Sequence, residues 1–332
     1  MRRAFSTLKD VAAASGVSRS QASRALRGDP GVREDVRNRV LAAAQKLGYQ
    51  VNVAARQLAS GRGTSVGVVI GEPMNPYHMM MASEISEALQ ADGLDPIFGL
   101  GKSGIDVRLD QIELLLRQRV VAVILIGSPR DPQQLAEISQ RLPCIYIGED
   151  VSPRGIRCVI ADDVRGGRLA VDHLHALGHR RIAHISGGKG AGAGARAEGY
   201  SSAMRDHGLE PVIHHAWFDL DGGHAGADAL MARRERPTAI FAASDRIAFG
   251  AMNRLRGLGY RVPEDVSVVG FDDSVDSGSE TISLTTVHQS ARLFGRHCAD
   301  LVHDILIDKA EALVRVIPVE LIVRGSSSSC VG

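Results

Sequence analysis

Three patterns of apolar spacing follow one another along the chain. In the first fifty residues they are short and helical. Leu8, Val11 and Ala12 fall at i, i+3 and i+4, one face of a short helix. Thr7 stands at an N-cap position, and Asp10, three residues on, can reach back toward it. Gly16 breaks the run, Val17 can plug the turn, and Ser18 can cap a second helix ending at Leu26. Gly28-Asp29-Pro30-Gly31 is a turn signal. A third helix is predicted from about Arg33 to Leu47, with Val36, Val40, Leu41, Ala44 and Leu47 on one face and Gly48 closing it. Two short helices about a glycine turn, backed by a third, spell a helix-turn-helix.

Ser60-Gly61-Arg62-Gly63-Thr64 reads as a joint by composition. Beyond it, buried-style strands alternate with amphipathic helices. Strands are predicted at Val66–Ile70, Leu94–Phe98, Val120–Ile126 and Cys144–Ile147, with helices at Tyr77–Asp92, Asp106–Arg119 and Pro132–Arg141. The pattern restarts near Arg181. Strands follow at Ile182–Ser186, Ile213–Trp217, Ala239–Ala242 and Val266–Gly270, with helices at Ala195–His207, Gly223–Arg234 and Arg246–Gly257. This order predicts an α/β body of two doubly wound parallel-sheet lobes, with a ligand between them at the carboxyl ends of the strands.

Composition narrows the class. The chain has 332 residues, 44% hydrophobic and 23% charged, enough for several cores and too apolar for wholesale disorder. The longest apolar run, Val120–Ile126, is far too short to span a bilayer, and Met1–Asp10 lacks the apolar stretch of a secretory signal. No membrane partner and a cytoplasmic, nucleoid-associated location are therefore expected. Cys144, Cys158, Cys298 and Cys330 are scattered, which argues for reduced thiols rather than a disulfide framework or zinc ribbon. The net charge of +1 conceals an asymmetry. Residues 1–62 hold 12 Lys+Arg against 4 Asp+Glu, and the other 270 hold 27 against 34. A head of +8 on a body of −7 points to a polyanion at the head.

The second helix carries the head's chemistry. Arg19, Ser20 and Arg24 lie near its amino-terminal half and Arg27 near its end. In a helix-turn-helix that half enters the major groove, where arginine pairs with guanine O6 and N7. The rival is a three-helix protein-binding bundle with a solvated basic face.

The run T-L-K-D-V-A-x-x-S-G-V-S (Thr7 to Ser18), then S-R-A-L-x-G (Ser23 to Gly28) and V-R-x-x-V-L-A-A-A-x-K-L-G-Y (Val36 to Tyr49), resembles the headpiece of the LacI/GalR (lactose/galactose repressor) family. The likeness extends through Asn52, Ala55, Arg56 and Leu58. In the body it includes Gly178–Gly187, Arg196-x-x-Gly199-Tyr200, Pro237–Asp245, Val262–Asp273, Leu284–Val287 and Leu321–Ser326. The resemblance implies a periplasmic-binding-protein-like body. It further implies DNA contacts from Thr7, Ser18, Arg19, Ser20, Ser23, Arg24 and Arg27, and a hinge helix carrying Asn52, Ala55, Arg56 and Leu58. The leucine would wedge into the minor groove and bend the duplex. Departures at Gln21-Ala22, Arg27 and Val51 make operator sequence less transferable than fold.

The resemblance also implies effector contacts. Tyr77 and His78 follow Asn75-Pro76, with His78 where the family often has Phe. Arg196 suits hydroxyls or a carboxylate, Phe218 an aromatic face, and Asp245 and Asp272 strand-end acceptors. Asp245 also precedes a helix, so capping competes with ligand contact there. An enzyme is the rival class. The glycine-rich loop Gly187–Gly194 fits no phosphate-loop motif, no H-E-x-x-H or G-x-S-x-G occurs, and no cofactor or metal signature stands out. A transport-type binding protein without regulatory role is a third class.

The expected organisation is a headpiece (1–50), a hinge helix and linker (51–64), an effector-binding and dimerisation body (65–328), and a tail (329–332). The expected partners are double-stranded operator DNA, a small-molecule effector (a sugar or sugar derivative) and a second copy of the chain. The serine-rich end after Gly325 reads as frayed. Met79, Met80 and Met81 are candidates for the dimer face or for the core.

Overall fold

A computed structural model of the chain describes residues 6–49, 63–101, 109–127, 131–309 and 313–330. The chain divides into two units, Met1–Gly63 and Thr64–Gly332. In the first, helix α1 (Leu8–Ser15) is started by a reciprocal cap: the Asp10 carboxylate accepts from the Thr7 amide at 2.8 Å, and the Thr7 hydroxyl accepts from the Asp10 amide at 3.4 Å. Gly16, at φ 68°, takes the left-handed conformation that turns the chain toward Ser18. Helix α2 (Arg19–Arg27) has its own reciprocal cap between Ser18 and Gln21, and α3 (Glu34–Lys46) closes the bundle. Val11, Ala12, Ala22, Ala25, Val36, Val40 and Ala44 form its core. Leu41 is 46% exposed. It follows Val40 by about 100° around the helix and points off the buried face, a correction to the expected stripe.

The second unit holds two six-stranded sheets. Lobe 1 is built from β1 (Ser65–Ile70), α4 (Pro76–Ala91), β2 (Asp95–Leu100), α5 (Leu109–Arg117), β3 (Ala122–Ile126), α6 (Pro132–Arg141), β4 (Cys144–Ile147) and β5 (Arg157–Ala161). Lobe 2 takes α7 (Asp163–Ala176), β6 (Ile182–Ser186), α8 (Ala193–Asp206), β7 (Val212–His215), α9 (Leu220–Met231), β8 (Ala239–Ala242), α10 (Asp245–Gly257), β9 (Ser267–Asp272) and β10 (Thr285–Gln289). Helix α11 (Ala291–Leu306) returns to pack on α4, β11 (Val314–Ile317) pairs with β5, and β12 (Val319–Ile322) pairs with β10. The sheet orders are β11-β5-β4-β3-β1-β2 and β12-β10-β9-β8-β6-β7. Every pairing is parallel except β10 with β12. The chain therefore passes between the lobes three times, after β5, after β10 and after β11. The sequence pattern ends one lobe at Ile147 and starts the next at Arg181, and so misses β5, α7 and the return of α11, β11 and β12.

Strands β1, β3 and β4 are buried along their whole length, as a parallel sheet covered on both faces requires. In lobe 2 the helices α7 and α8 meet backbone to backbone. A Cβ on Gly167 would lie 2.3 Å from the Arg196 carbonyl, and one on Gly199 would lie 2.0 Å from that of Val164. Only glycine permits this approach, which brings the first turns of the two helices together. Met81 is in the core and Met80 packs against it, whereas Met79 is exposed.

The serine-rich end is not frayed through Cys330, a correction to the sequence reading. The Ser326 hydroxyl donates to the Val268 carbonyl at 2.6 Å and accepts from the Thr285 amide at 2.8 Å. Ser327 meets Thr285 and His173, each at 2.9 Å, the Ser328 amide donates to Ser267, and the Cys330 amide donates to Leu177. Buried His179 contacts the Ser328 carbonyl at 3.0 Å. Short hydroxyl side chains supply the pairing that a strand ladder would otherwise provide. The four cysteines are free, and no described helix is long and apolar enough to cross a membrane.

Candidate functional site

The carboxyl ends of the strands from both lobes converge on one cleft enclosing about 650 Å³ of space, open solvent included. Lobe 1 contributes Asn75, Tyr77 and His78 after β1 and Gly127 after β3; lobe 2 contributes Arg196, Phe218, Ser244 and Asp272. Gln289 ends β10, and Asp163 begins α7 immediately after the first crossing.

Arg196 is the centre of the site. Its Nε donates to Asp163 Oδ1 at 2.7 Å, its Nη1 donates to the Ala243 carbonyl at 2.6 Å, and Nη1 stands 3.7 Å from Asp272 Oδ1. The guanidinium lies 3.6 Å from the centroid of buried Phe271 and 5.8 Å from that of Phe218. Burial works against the Arg196 charge, but Asp163 and Asp272 outweigh it and its pKa is raised. Burial pushes the Asp163 carboxyl up, opposed by Arg196. Burial also lifts Asp272, to about 8, again opposed by Arg196 and reinforced by Asp245. Gln289 Nε2 donates to Asp272 Oδ1 at 2.6 Å, and the Tyr77 hydroxyl donates to the Gln289 carbonyl at 3.0 Å. Asp272 holds φ 121°, a conformation rare outside glycine, which marks a locally strained strand end facing the cleft.

Tyr77, His78, Arg196, Phe218 and Asp272 are thus brought together on the cleft wall. The imidazole of His78 lies over Gly127, where a Cβ would come within 2.9 Å of it. Phe218 packs on the glycine-rich loop, so that Gly187 and Gly190 have no room for a side chain. Asp245 is a correction. Its fully buried carboxylate is absent from the cleft wall and accepts from the Ser274 amide (2.7 Å), the Thr286 hydroxyl (2.6 Å) and the Ser277 hydroxyl. Capping falls to its neighbour instead: the Ser244 hydroxyl accepts from the Ile247 amide, and Ser244 also reaches the cleft. Asp163 and Gln289 are the participants that sequence reading missed. The available signal for Asp163 was a strand-end acid shortly before Gly167, the glycine that lets α7 meet α8.

In the headpiece, Arg19 and Ser20 are exposed on the amino-terminal turn of α2. Thr7 and Ser18 are engaged in the two helix caps. Arg24 donates to the Pro30 carbonyl at 3.3 Å. Ser23 and Arg27, both expected to contact DNA, are hydrogen-bonded to each other in the headpiece. Arg27 donates to Asp29 at 2.7 and 3.2 Å and to the Ser23 hydroxyl at 2.8 Å, because the Gly28 turn folds Asp29 back under the helix end. These hydrogen bonds hold Asp29 below the usual carboxylate range. The pair is exposed and of small net worth, so a phosphate can compete for Arg27. Asn52, Ala55, Arg56 and Leu58 lie outside the described residues.

Residues 7–52 match the model of bacterial regulatory proteins, lacI family, and residues 171–327 match a periplasmic binding protein-like domain. The chain is 36% identical to the HTH-type transcriptional regulator CelR of Thermobifida fusca, across 98% of this chain and 99% of that protein. Its structure is similar to that of the lac repressor dimer bound to operator and the anti-inducer ONPF, with TM-score 0.85, 28% identity, and 98% and 99% of the two chains covered. It is also similar to a CelR–cellobiose complex, with TM-score 0.71, 32% identity, and 97% and 100% covered.

Proposed function

The chain belongs to the lacI family of bacterial regulatory proteins and is a helix-turn-helix transcriptional regulator, and from that premise we propose that it is a repressor working in the cytoplasm, on the nucleoid, as a homodimer. Each headpiece (residues 1–50) would read one half of a pseudo-palindromic operator through Arg19 and Ser20. The hinge (51–64) would set Asn52, Ala55 and Arg56 against the minor groove and Leu58 between base pairs. A dimer of about 71 kDa, twice the 35.4 kDa chain, brings two such heads onto successive major grooves. Exposed Met74, just before α4, and Met79, on its open side, offer it an apolar contact.

The effector we propose is an uncharged sugar. The observation that carries this reading is the buried Asp163–Arg196–Asp272 cluster on the cleft wall. Its one cation is already paired with Asp163 and also faces Asp272, so it offers hydrogen bonds without a surplus positive charge for an anion. Phe218 supplies a flat face for a sugar ring, and Tyr77 and His78 close the opposite wall. A ligand there changes DNA affinity by as much as it prefers one lobe arrangement to the other. The relatives' naming as regulators along nearly their whole length disfavours the rival sugar- or nucleotide-processing enzyme.

The test is a thermal-shift screen of cellobiose, ribose, other neutral sugars, uronic acids and purines, with each hit then added to an operator-binding assay. A neutral sugar that raises Tm and alters operator affinity is expected. A hit confined to uronic acids, or turnover of the hit, would overturn the reading.

A further inference from the structure

We propose that the amino-terminal edge of lobe 1 is a second nucleic-acid surface, which takes phosphates of the duplex flanking the operator. The inference rests on the headpiece being the DNA-reading unit. In a parallel sheet all strand starts share one edge, opposite the carboxyl ends that hold the cleft. On this edge Arg117 and Arg119 lead into β3, Arg141 into β4, and Arg154 and Arg157 into β5, three strands that are neighbours in the sheet. Arg141, Arg154 and Arg157 line one open groove of about 720 Å³.

The arginines are largely uncommitted. Arg141 pairs with Glu113 at 2.7 Å, but Arg117, Arg119, Arg154 and Arg157 have no ion pair or side-chain hydrogen bond among the described residues. Asp150 accepts from the Ser152 amide at 2.9 Å and lies by the Cys158 thiol, and the Asp95 carboxylate meets the Thr64 hydroxyl at 2.7 Å. Residues 63–332 carry a net charge of −7, so a run of unpaired arginines stands out against its surroundings. Such a run repels itself until a polyanion fills it.

Connectivity selects DNA as that polyanion. The chain enters lobe 1 at Ser65, the start of β1, on this same edge. Residues 50–64 can span at most about 50 Å. The edge is therefore tethered within about 15 base pairs, at 3.4 Å each, of the DNA held by the headpiece. An acidic protein partner would share the charge but not the tether.

The experiment uses the full chain and an operator selected from a random duplex pool, flanked by either 2 or 20 base pairs on each side. The unaltered protein should bind the long duplex several-fold more tightly at low salt. Arg154→Gln/Arg157→Gln should keep its Tm and its short-duplex affinity but lose that gain. Its slope of log K against log salt on the long duplex should fall by about 2 per subunit, at about 0.9 per phosphate contact. Arg117→Gln/Arg119→Gln should do the same in part. Equal affinities and slopes for unaltered and substituted proteins on the long duplex would overturn the proposal. Failure of the unaltered protein to select or bind any duplex would instead defeat the DNA-reading assignment, and this proposal with it.

Discussion

Arg196 and Asp163 face each other across the contact of two helix amino termini, Nε to Oδ1 at 2.7 Å, both side chains almost wholly out of water. Two glycines make this possible: Gly167 and Gly199 allow α7 and α8 to approach until backbone atoms touch, while Gly166 leaves room for the Phe271 ring. The pair is thus a consequence of close backbone packing. It holds the guanidinium flat against Phe271 and leaves Asp272 as the acid less tightly bound to it.

Replacing Arg196 should therefore be costly twice. Arg196→Met keeps the volume but leaves Asp163 and Asp272 buried beside each other without a cation. Breaking one side of such a pair costs about 3–5 kcal/mol. Urea denaturation should show a loss of that order, smaller at low pH where the acids are protonated, together with loss of the thermal shift from any effector. A stability change within 1 kcal/mol at pH 8 would mean that water solvates the acids.

Asp272 sets a pH dependence of the opposite sense from a surface salt bridge. Its folded pKa of about 8 lies above its ordinary value near 3.8. Between those two values the folded state holds a proton that the unfolded state has lost, so this group's contribution to stability falls as pH rises from about 4 to 8 and is then constant. Asp272→Asn removes that cost. The variant should gain stability over the unaltered protein progressively across the window, reaching about 1–4 kcal/mol above pH 8, while effector binding is lost. Melting curves at pH 5 and pH 8.5 check this; a gain independent of pH would show that the carboxyl titrates normally.

The strap at the chain end predicts a stability role for one hydroxyl. Ser326 is 2% exposed and bridges the Val268 carbonyl and the Thr285 amide. Ser326→Ala strands both groups, at about 1–3 kcal/mol. Differential calorimetry should place the variant's Tm several degrees lower, with dimer mass and operator affinity at 20 °C unchanged. An unaltered Tm would mean that the strap contributes nothing to the lobe.

What could be read from sequence was local, and what could not was decided across the sheet. Thr7 with Asp10, Ser18 before α2, and Gly16 at the turn follow from neighbours three residues apart. The cleft contains Arg196 and Phe218, which the family resemblance implies, and Asp272, which the strand-end rule also picks out. That rule could not separate Asp245 from Asp163, since both are acids at the first position of a helix after a strand. Their fates depend on distant partners: Ser274, Ser277 and Thr286 surround Asp245, and Arg196 meets Asp163. The lobe crossings were equally hidden. Strand β5 belongs to one lobe and the next helix, α7, to the other, yet the alternation of apolar segments runs on without a mark. The chain-end serines gave no periodic signal because their hydroxyls, not apolar faces, attach them.

The two capping boxes and the free turn between them separate holding from reading in the headpiece. Thr7 and Ser18 are engaged with Asp10 and Gln21, whereas Arg19 and Ser20 extend from the start of α2. Thr7→Ala removes a cap worth about 0.5–2 kcal/mol. It should lower the headpiece's melting temperature and weaken binding by the same factor on every operator variant, since the helix is less populated but its reading surface is intact. Arg19→Ala should leave the headpiece melt unchanged and act unevenly. Discrimination at the base pair it reads should fall by about 1–3 kcal/mol, with other positions unaffected. Measuring affinity on a set of single-base operator variants tells the two apart. A uniform loss for Arg19→Ala would place its guanidinium on a phosphate, and base reading would then fall to Ser20 or to Arg24, whose bond to the Pro30 carbonyl at 3.3 Å would have to break first.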